Sequence, residues 1–475
     1  MGILTIVLAL ILLMVLAYLG ASILLIAPVL AMLAAGLAGL PVLASYTQVF
    51  MVNTGDFIVA YFPLFLLGAI FGKLMESSGA ANAIGQWSIR TFGASRAILA
   101  IVLSCALLTY GGVSLFVVAF AVYPLAASIF RQADIPARLI PGTIALGAFT
   151  FTMTALPGTP AIQNAIPMPH FGTTPFAAPV LGIIAAMVMF GVGYAWLQWR
   201  AATARAAGEG YGIEVPVSAP DLATVRHEAQ GEGFDLAELD APSTQEMPFA
   251  KAIAPIVLVL VLNLVMSKLV LPATDLSYLA EPLWGEVGPG DVIGVWSIAV
   301  SLCCACLSVV LLNPGQARAL AGATNEGANA AVLPIFNTAS LVGFGAVIAA
   351  LPAFELLRDA VLGIAPNNPL ISLSIAVNIL AGITGSASGG MSIALDALGQ
   401  QYLEMGLAAG IDPAVLHRVT TVATGGLDAL PHNGAVVTLL TICNMTHAKS
   451  YLDIFVVALL GPLLALVTIV AIASF

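Results

Sequence analysis

The sequence predicts an all-α polytopic membrane protein of two inverted repeats, each with five spans and one re-entrant hairpin. Three observations carry this. Of the 475 residues, 60% are hydrophobic and 8% charged, with a mean hydropathy of +1.05; a soluble domain carries about 25% charged residues. Apolar runs of about 20 residues, the length that crosses the hydrocarbon core, fill nearly the whole chain. Helix-breaking segments recur in the same order in both halves. This composition excludes a cytosolic enzyme, a nucleic-acid binder and a secreted disulfide scaffold.

Spans are predicted at 3–19, 22–44, 57–75, 139–166 and 177–198, then at 251–272, 292–312, 329–352, 415–446 and 451–474. The chain opens Met1-Gly2-Ile3 without a basic segment, and its apolar run continues to Leu40, which fits a first span better than a cleaved signal. Two further stretches, 97–130 and 369–404, are apolar but interrupted centrally, at Thr109–Ser114 and at Thr384–Gly390. A polar, glycine-rich run at mid-depth suits the turn of a re-entrant hairpin. The domain reading is a first repeat over 1–199, a hydrophilic linker over 200–250 and a second repeat over 251–475.

The repeat rests on three matches. Ala155-Leu156-Pro157-Gly158 recurs as Ala429-Leu430-Pro431-His432, and the glycine pair at 111–112 recurs at 389–390. Each hairpin is followed by a polar turn with a proline, at Pro136 and at Pro413. An odd number of spans per half inverts the second half, and inverted repeats with broken helices mark secondary transporters.

Charge placement orients the chain. Nine of the 24 acidic residues lie between Arg200 and Ala250, so the formal charge of −10 describes the linker and not a ligand. On the linker's face fall eleven Lys and Arg residues, Lys73 among them, against Lys268, Arg358 and Arg418 on the other. The positive-inside bias makes the linker cytoplasmic and both termini external, in a multi-pass membrane protein. The five cysteines lie inside apolar runs and read as small packing residues.

Chemistry is expected at the breaks. Pro157 and Pro431 cannot sustain helix, and unwound backbone is tolerated in a membrane where it lines a cavity. Restarting half-helices aim their N-terminal amides into that cavity. The expected lining is Thr109, Gly111, Gly112, Ser114, Gly158, Thr159, Gln163, Asn164, Ser386, Ser388, Gly389, His432, Asn433 and Gly434, with Thr438 nearby. No Lys or Arg falls in either hairpin tip or either break, so the expected ligand is a small polar monocarboxylate, a hydroxy acid for preference. Asp428 and His432 are the expected proton-coupling pair, because the second break alone adds titratable groups. Asp396 is a further candidate. Asp56, Glu326 and the Lys73/Glu76 pair read as span-edge residues, Gly68 and Gly72 as helix packing, and His170 as a loop residue. No cofactor, metal or nucleic-acid partner is expected: His-Glu-x-x-His, Gly-x-Ser-x-Gly and ATP-binding motifs are absent.

The sequence resembles the gluconate permease (GntP) family of the ion-transporter superfamily. The resemblance lies in Gly68 to Ala80, in Gly111-Gly112-Val113-Ser114-Leu115, in Tyr123-Pro124-Leu125, in Ala155–Pro160 and in Ser386–Gly390. It implies proton-coupled import of gluconate or related hydroxy acids across a bacterial inner membrane, and a homodimer with a scaffold and an elevator-type transport domain. Gluconate permeases carry a proline-and-histidine-rich segment at the first break and a His-Val-Asn-Asp-type segment later. Here Leu156-Pro157-Gly158-Thr159 and Ala429–Gly434 stand instead, and the second resembles the 3-hydroxybutyrate permease branch. The expected function is therefore symport of a 3-hydroxybutyrate-like acid with a proton. The alternatives are a sugar-acid symporter, a sodium-coupled carboxylate transporter and an anion channel.

Overall fold

The computed structural model describes residues 2–19, 21–212, 247–365, 367–431 and 433–474. Most of the predicted linker and His432 lie outside the described residues. Helices account for nearly all the rest, and no strand occurs among the described residues. Seven helices there are long and apolar enough to cross a membrane, or eight if one bent pair is a single span.

The first half begins with α1 (Gly2–Tyr18) and α2 (Ile23–Leu37), followed by the long α3 (Val42–Ser77). Then come α4 (Ala80–Phe92), α5 (Ala97–Tyr110), α6 (Leu115–Gln132) and α7 (Ile140–Ala148). Short pieces follow, α8 (Phe151–Thr154), α9 (Ile162–Ala165) and α10 (Pro167–Phe171), and α11 (Pro179–Ala206) closes the half.

In the second half α12 is Phe249–Ala273, α13 Pro289–Leu312 and α14 Pro314–Ala349. Then come α15 (Phe354–Leu362), α16 (Pro369–Thr384), α17 (Ala387–Ala408) and α18 (Pro413–Thr424). The half ends with α19 (Gly434–Ile442) and α20 (His447–Ala473). Element order thus recurs: α3 and α14 are each 36 residues long, each is followed by a short helix, then by two arms around a break, then by a broken helix.

Several predicted spans change shape. The span at 57–75 starts fifteen residues earlier, at Val42. Its polar residues stay helical because their side chains return to the helix: Thr47 Oγ1 donates to Leu43 O, Asn53 Nδ2 to Val49 O and Thr54 Oγ1 to Phe50 O, each at 2.8 Å. The span at 329–352 likewise starts at Pro314. The span at 139–166 is three pieces, α7, α8 and α9, and that at 415–446 is α18 and α19 around an unwound stretch. Helix α4 was not anticipated. It buries Ala80, Ala81, Ile84, Gly85 and Ser88 on one face and meets α5 at a bend of 102°.

Both interrupted stretches fold back on themselves. Gly112 (φ +96°) turns the chain between α5 and α6, and Gly385 (φ +64°) turns it between α16 and α17, conformations that disfavour a side chain. In the second hairpin the arms touch through Gly390, where a Cβ would strike the Ala381 backbone. The core of α3 packs on α14 through Gly327, where a Cβ would lie 2.6 Å from Ile70 Cα. Gly68 and Gly72 do not make that contact: a Cβ at 68 meets nothing within 4 Å, and both residues face the central cavity.

Candidate functional site: a cavity between hairpin tips and helix breaks

One cavity of about 260 Å³ lies where the hairpin tips and helix breaks converge. The first tip contributes Thr109, Gly112 and Ser114, and the second contributes Gly385, Ser386 and Ser388. The breaks contribute Gln163, Asp428 and Asn433, and α3 contributes Gly68, Gly72 and Lys73.

Local chemistry explains why these groups sit there. Three helices of nine or more residues, α6, α17 and α19, start at the cavity wall with Ser114, Ser386 and Asn433 as their caps. Their first-turn amides and dipoles favour an anion. Ser386 Oγ accepts from Gly389 N at 3.1 Å, and Asn433 Oδ1 accepts from Ala435 N at 2.7 Å. Asn433 Nδ2 also donates to Gly385 O at 2.7 Å, tying the second break to the second hairpin tip. Thr109 Oγ1 and Gln163 Oε1 are buried on the wall and make no hydrogen bond among the described residues. Groups left so carry a desolvation cost of about 1–3 kcal/mol each, which a bound polar ligand would offset.

Six of the expected lining residues are elsewhere. Gly111 is packed on α12, where a Cβ would lie 2.7 Å from Ile256. Gly389 abuts Leu341 of α14. Gly158, Thr159 and Asn164 build the first break: Gly158 O accepts from Asn263 Nδ2 at 3.0 Å, and Asn164 Nδ2 donates to Thr159 O and Pro175 O at 3.0 and 2.9 Å. Gly434 opens α19 behind Asn433 and is not on the wall. Thr438 is fully buried, also off the wall.

Charge placement needs two corrections. The first concerns the expectation of a site without a fixed cation. Lys73 is on the wall and so is a cavity residue and not a span-edge residue, and its Nζ lies 3.4 Å from Glu76 Oε2 and 3.7 Å from Glu326 Oε2. The signal was present in the sequence as a Lys-x-x-Glu pair closing the apolar run that contains Gly68 and Gly72. The second concerns Arg418, placed on the external face. It is fully buried, and its guanidinium donates to Ala177 O at 2.9 and 3.2 Å and to Thr154 O at 3.1 Å. Without Lys73 and Arg418, the surface bias becomes ten against two. Next to Arg418, His417 is equally buried, with Nδ1 2.6 Å from Thr173 Oγ1 and Nε2 3.2 Å from Asn164 Oδ1. Arg418 therefore holds backbone carbonyls around the other half's break, and His417 meets the Thr173 and Asn164 side chains there.

Away from the cavity, His170 belongs to α10 and not to a loop, and its Nε2 lies 3.5 Å from Asp396 Oδ1. At the end of the bundle near the linker, buried Asp453 accepts from Trp196 Nε1 and Arg200 Nε, both at 2.9 Å. Arg138 stands 3.5 Å from the same carboxylate and pairs with Glu209 at 2.7 Å. That hydrogen bond holds the Glu209 carboxyl below its ordinary range. No His, Cys, Asp and Glu cluster suited to a metal occurs among the described residues.

A polytopic helical membrane protein with a polar cavity walled by hairpin tips and broken helices is built as a membrane transporter. The chain belongs to the GntP permease family. Residues 1–265 match the family described as GntP family permease. Over 466 residues the chain is 44% identical to the uncharacterized transporter YxjC of Bacillus subtilis (strain 168), covering 97% of this chain and 96% of that one. The fold is similar to that of Neisseria gonorrhoeae MtrF, described with a class of antimetabolite efflux pumps. The TM-score is 0.52 at 13% identity, covering 91% of this chain and 84% of MtrF. The protein is accordingly a transporter and not an enzyme.

Proposed function

We propose that this permease imports a small hydroxy-monocarboxylate, of the 3-hydroxybutyrate kind, together with a proton. The carrying observation is the cavity itself, where three helix N-termini meet the buried, unbonded oxygens of Thr109 and Gln163. At about 260 Å³ it falls just below the roughly 300–1,000 Å³ of pockets for drug-sized ligands, which suits a molecule of a few carbons. Lys73 does not make the site a polyanion site, because Glu76 and Glu326 already share its charge. One carboxylate at the helix N-termini is matched; a second has no surplus cation to meet it. Asp428, on the wall at the second break, is one titratable group able to carry the proton.

The recurring element order supports two inverted repeats over 1–199 and 251–475, with the 200–250 linker cytoplasmic and both termini outside a bacterial inner membrane. A homodimer moving its hairpins and breaks as an elevator is part of the same reading.

Uptake into proteoliposomes tests it. Short hydroxy-monocarboxylates should compete with labelled 3-hydroxybutyrate better than succinate, citrate or gluconate, and a pH gradient should drive accumulation. Preferred uptake of gluconate would identify a sugar-acid carrier, strict sodium dependence would replace the proton, and flux without accumulation would indicate a channel. Asn433→Ala and Ser388→Ala should each weaken uptake by about 0.5–1.5 kcal/mol, the net value of one hydrogen bond.

A further inference from the structure

We propose that Lys73 anchors the substrate carboxylate and that Glu326, giving up its share of that lysine, takes the coupling proton. The inference rests on the carboxylate reading above and moves the coupling step from the second break to the contact between α3 and α14.

The geometry is an ion triad that meets the cavity wall at Lys73. Lys73 Nζ is held between Glu76, one turn further along its own helix, and Glu326 of α14. Lys73 and Glu76 side chains are 11% and 9% exposed, and Glu326 is 30% exposed. Gly72, the residue before Lys73, lies near the start of α6: a Cβ there would be 3.7 Å from Ser114 N, in ordinary contact. Lys73 and Ser114, the cap of α6, line the same cavity, so the lysine and a helix N-terminus that favours an anion face one ligand space.

Charge decides what must accompany that carboxylate. One ammonium against two carboxylates leaves one net negative charge in the empty triad. A monocarboxylate arriving alone would double it in a largely buried site, which is costly. A monocarboxylate arriving with one proton leaves the net charge unchanged. The triad thus admits the substrate and the proton as a pair.

Glu326 is the partner that lets go. Its contact with Lys73 is the longer of the two, it comes from another helix, and it is the more exposed carboxylate. Glu76 stays within reach of Lys73 and positions it. The proton comes from water on the entry side and forms an O–H bond on the Glu326 carboxylate as Lys73 turns to the substrate. On the exit side the substrate leaves, Lys73 returns, and that O–H bond breaks to water. Lys73 remains an ammonium throughout.

Helix α13 brings Cys306, whose thiol donates to Leu67 O. Helices α4 and α6 bring no charged side chain to the wall, and Asp428 is the acid that lines it.

Loaded and empty triads carry the same charge, so uptake by the native protein should follow a pH gradient and ignore an imposed membrane potential. Detergent-solubilised native protein should take up one proton for each 3-hydroxybutyrate bound, read with a pH dye. In proteoliposomes, Glu326→Gln should keep 3-hydroxybutyrate counterflow, lose accumulation on a pH gradient, and become sensitive to membrane potential. Lys73→Met should raise the KM for 3-hydroxybutyrate at least tenfold, with Lys73→Arg recovering part of the loss. No proton uptake by the native protein overturns the proposal. So does a Glu326→Gln protein that still accumulates on a pH gradient, or accumulation lost in Asp428→Asn alone. If no monocarboxylate competes for uptake by the native protein, it is the ligand reading that fails, before any variant is made.

Discussion

Replacing Arg418 by methionine removes a guanidinium with no solvent exposure whose partners are backbone carbonyls of the other half of the chain. Two carbonyls lose their donors, Ala177 O and Thr154 O, together with a longer contact to Thr421 Oγ1 at 3.5 Å. An orphaned buried acceptor costs about 1–3 kcal/mol, so the pair amounts to about 2–6 kcal/mol. Polar contacts inside bilayers average nearer 0.6 kcal/mol each, which places the lower bound for three contacts close to 2 kcal/mol. The methionine keeps most of the stem's packing, so the loss reports the head group. Arg418→Lys should recover less than half of it, because one ammonium cannot reproduce the fork that spans two carbonyls. The assay is denaturation of the detergent-solubilised protein, paired with substrate counterflow, and the first break should lose both rigidity and transport. A methionine variant within about 1 kcal/mol of the native protein, an ordinary value for a point substitution, would refute the claim that Arg418 holds this break.

Three further outcomes follow from the same structure. Gly390→Ala places a Cβ on the Ala381 backbone, which cannot yield as a side chain can, so the second hairpin should open at a cost of at least about 1–3 kcal/mol and counterflow should fall. Asp453→Asn leaves Arg138 and Arg200 without their shared buried carboxylate and should cost about 3–5 kcal/mol in denaturation, nearer the lower figure because Glu209 still pairs with Arg138. The Glu209 carboxyl is held below its ordinary range, so its contribution is complete above the unfolded carboxyl's pKa and is lost as pH falls through the lowered folded value. Glu209→Gln should therefore change melting equally at pH 7 and pH 6, and converge with the native protein only in stronger acid.

The sequence was sufficient for the membrane class, the unwound stretches and the hairpin turns, which depend on runs and breaks along the chain. Apolar runs declared a membrane protein; Pro157 and Pro431 located the unwound stretches; Gly112 and the Thr384–Gly390 run located the hairpin turns. Polar caps such as Ser386 and Asn433 could be assigned to the cavity because a cap faces wherever its helix begins. Amphipathic helices α4 and α15 escaped notice, being too short and too polar to register as spans, and α3 began earlier than hydropathy allows because its Thr and Asn side chains bond back to their own helix. Tertiary structure alone decided which side of each break faces ligand. Gly111 and Gly389 neighbour wall residues but turn into packing, since adjacent residues on a turn point in different directions. It alone brought Glu326 to Lys73 across 253 positions, and Arg418 to Thr154 across 264. Local pattern reads a lysine near the end of an apolar run as an interfacial charge; whether that end opens on water or on a cavity is set by the helices packed around it.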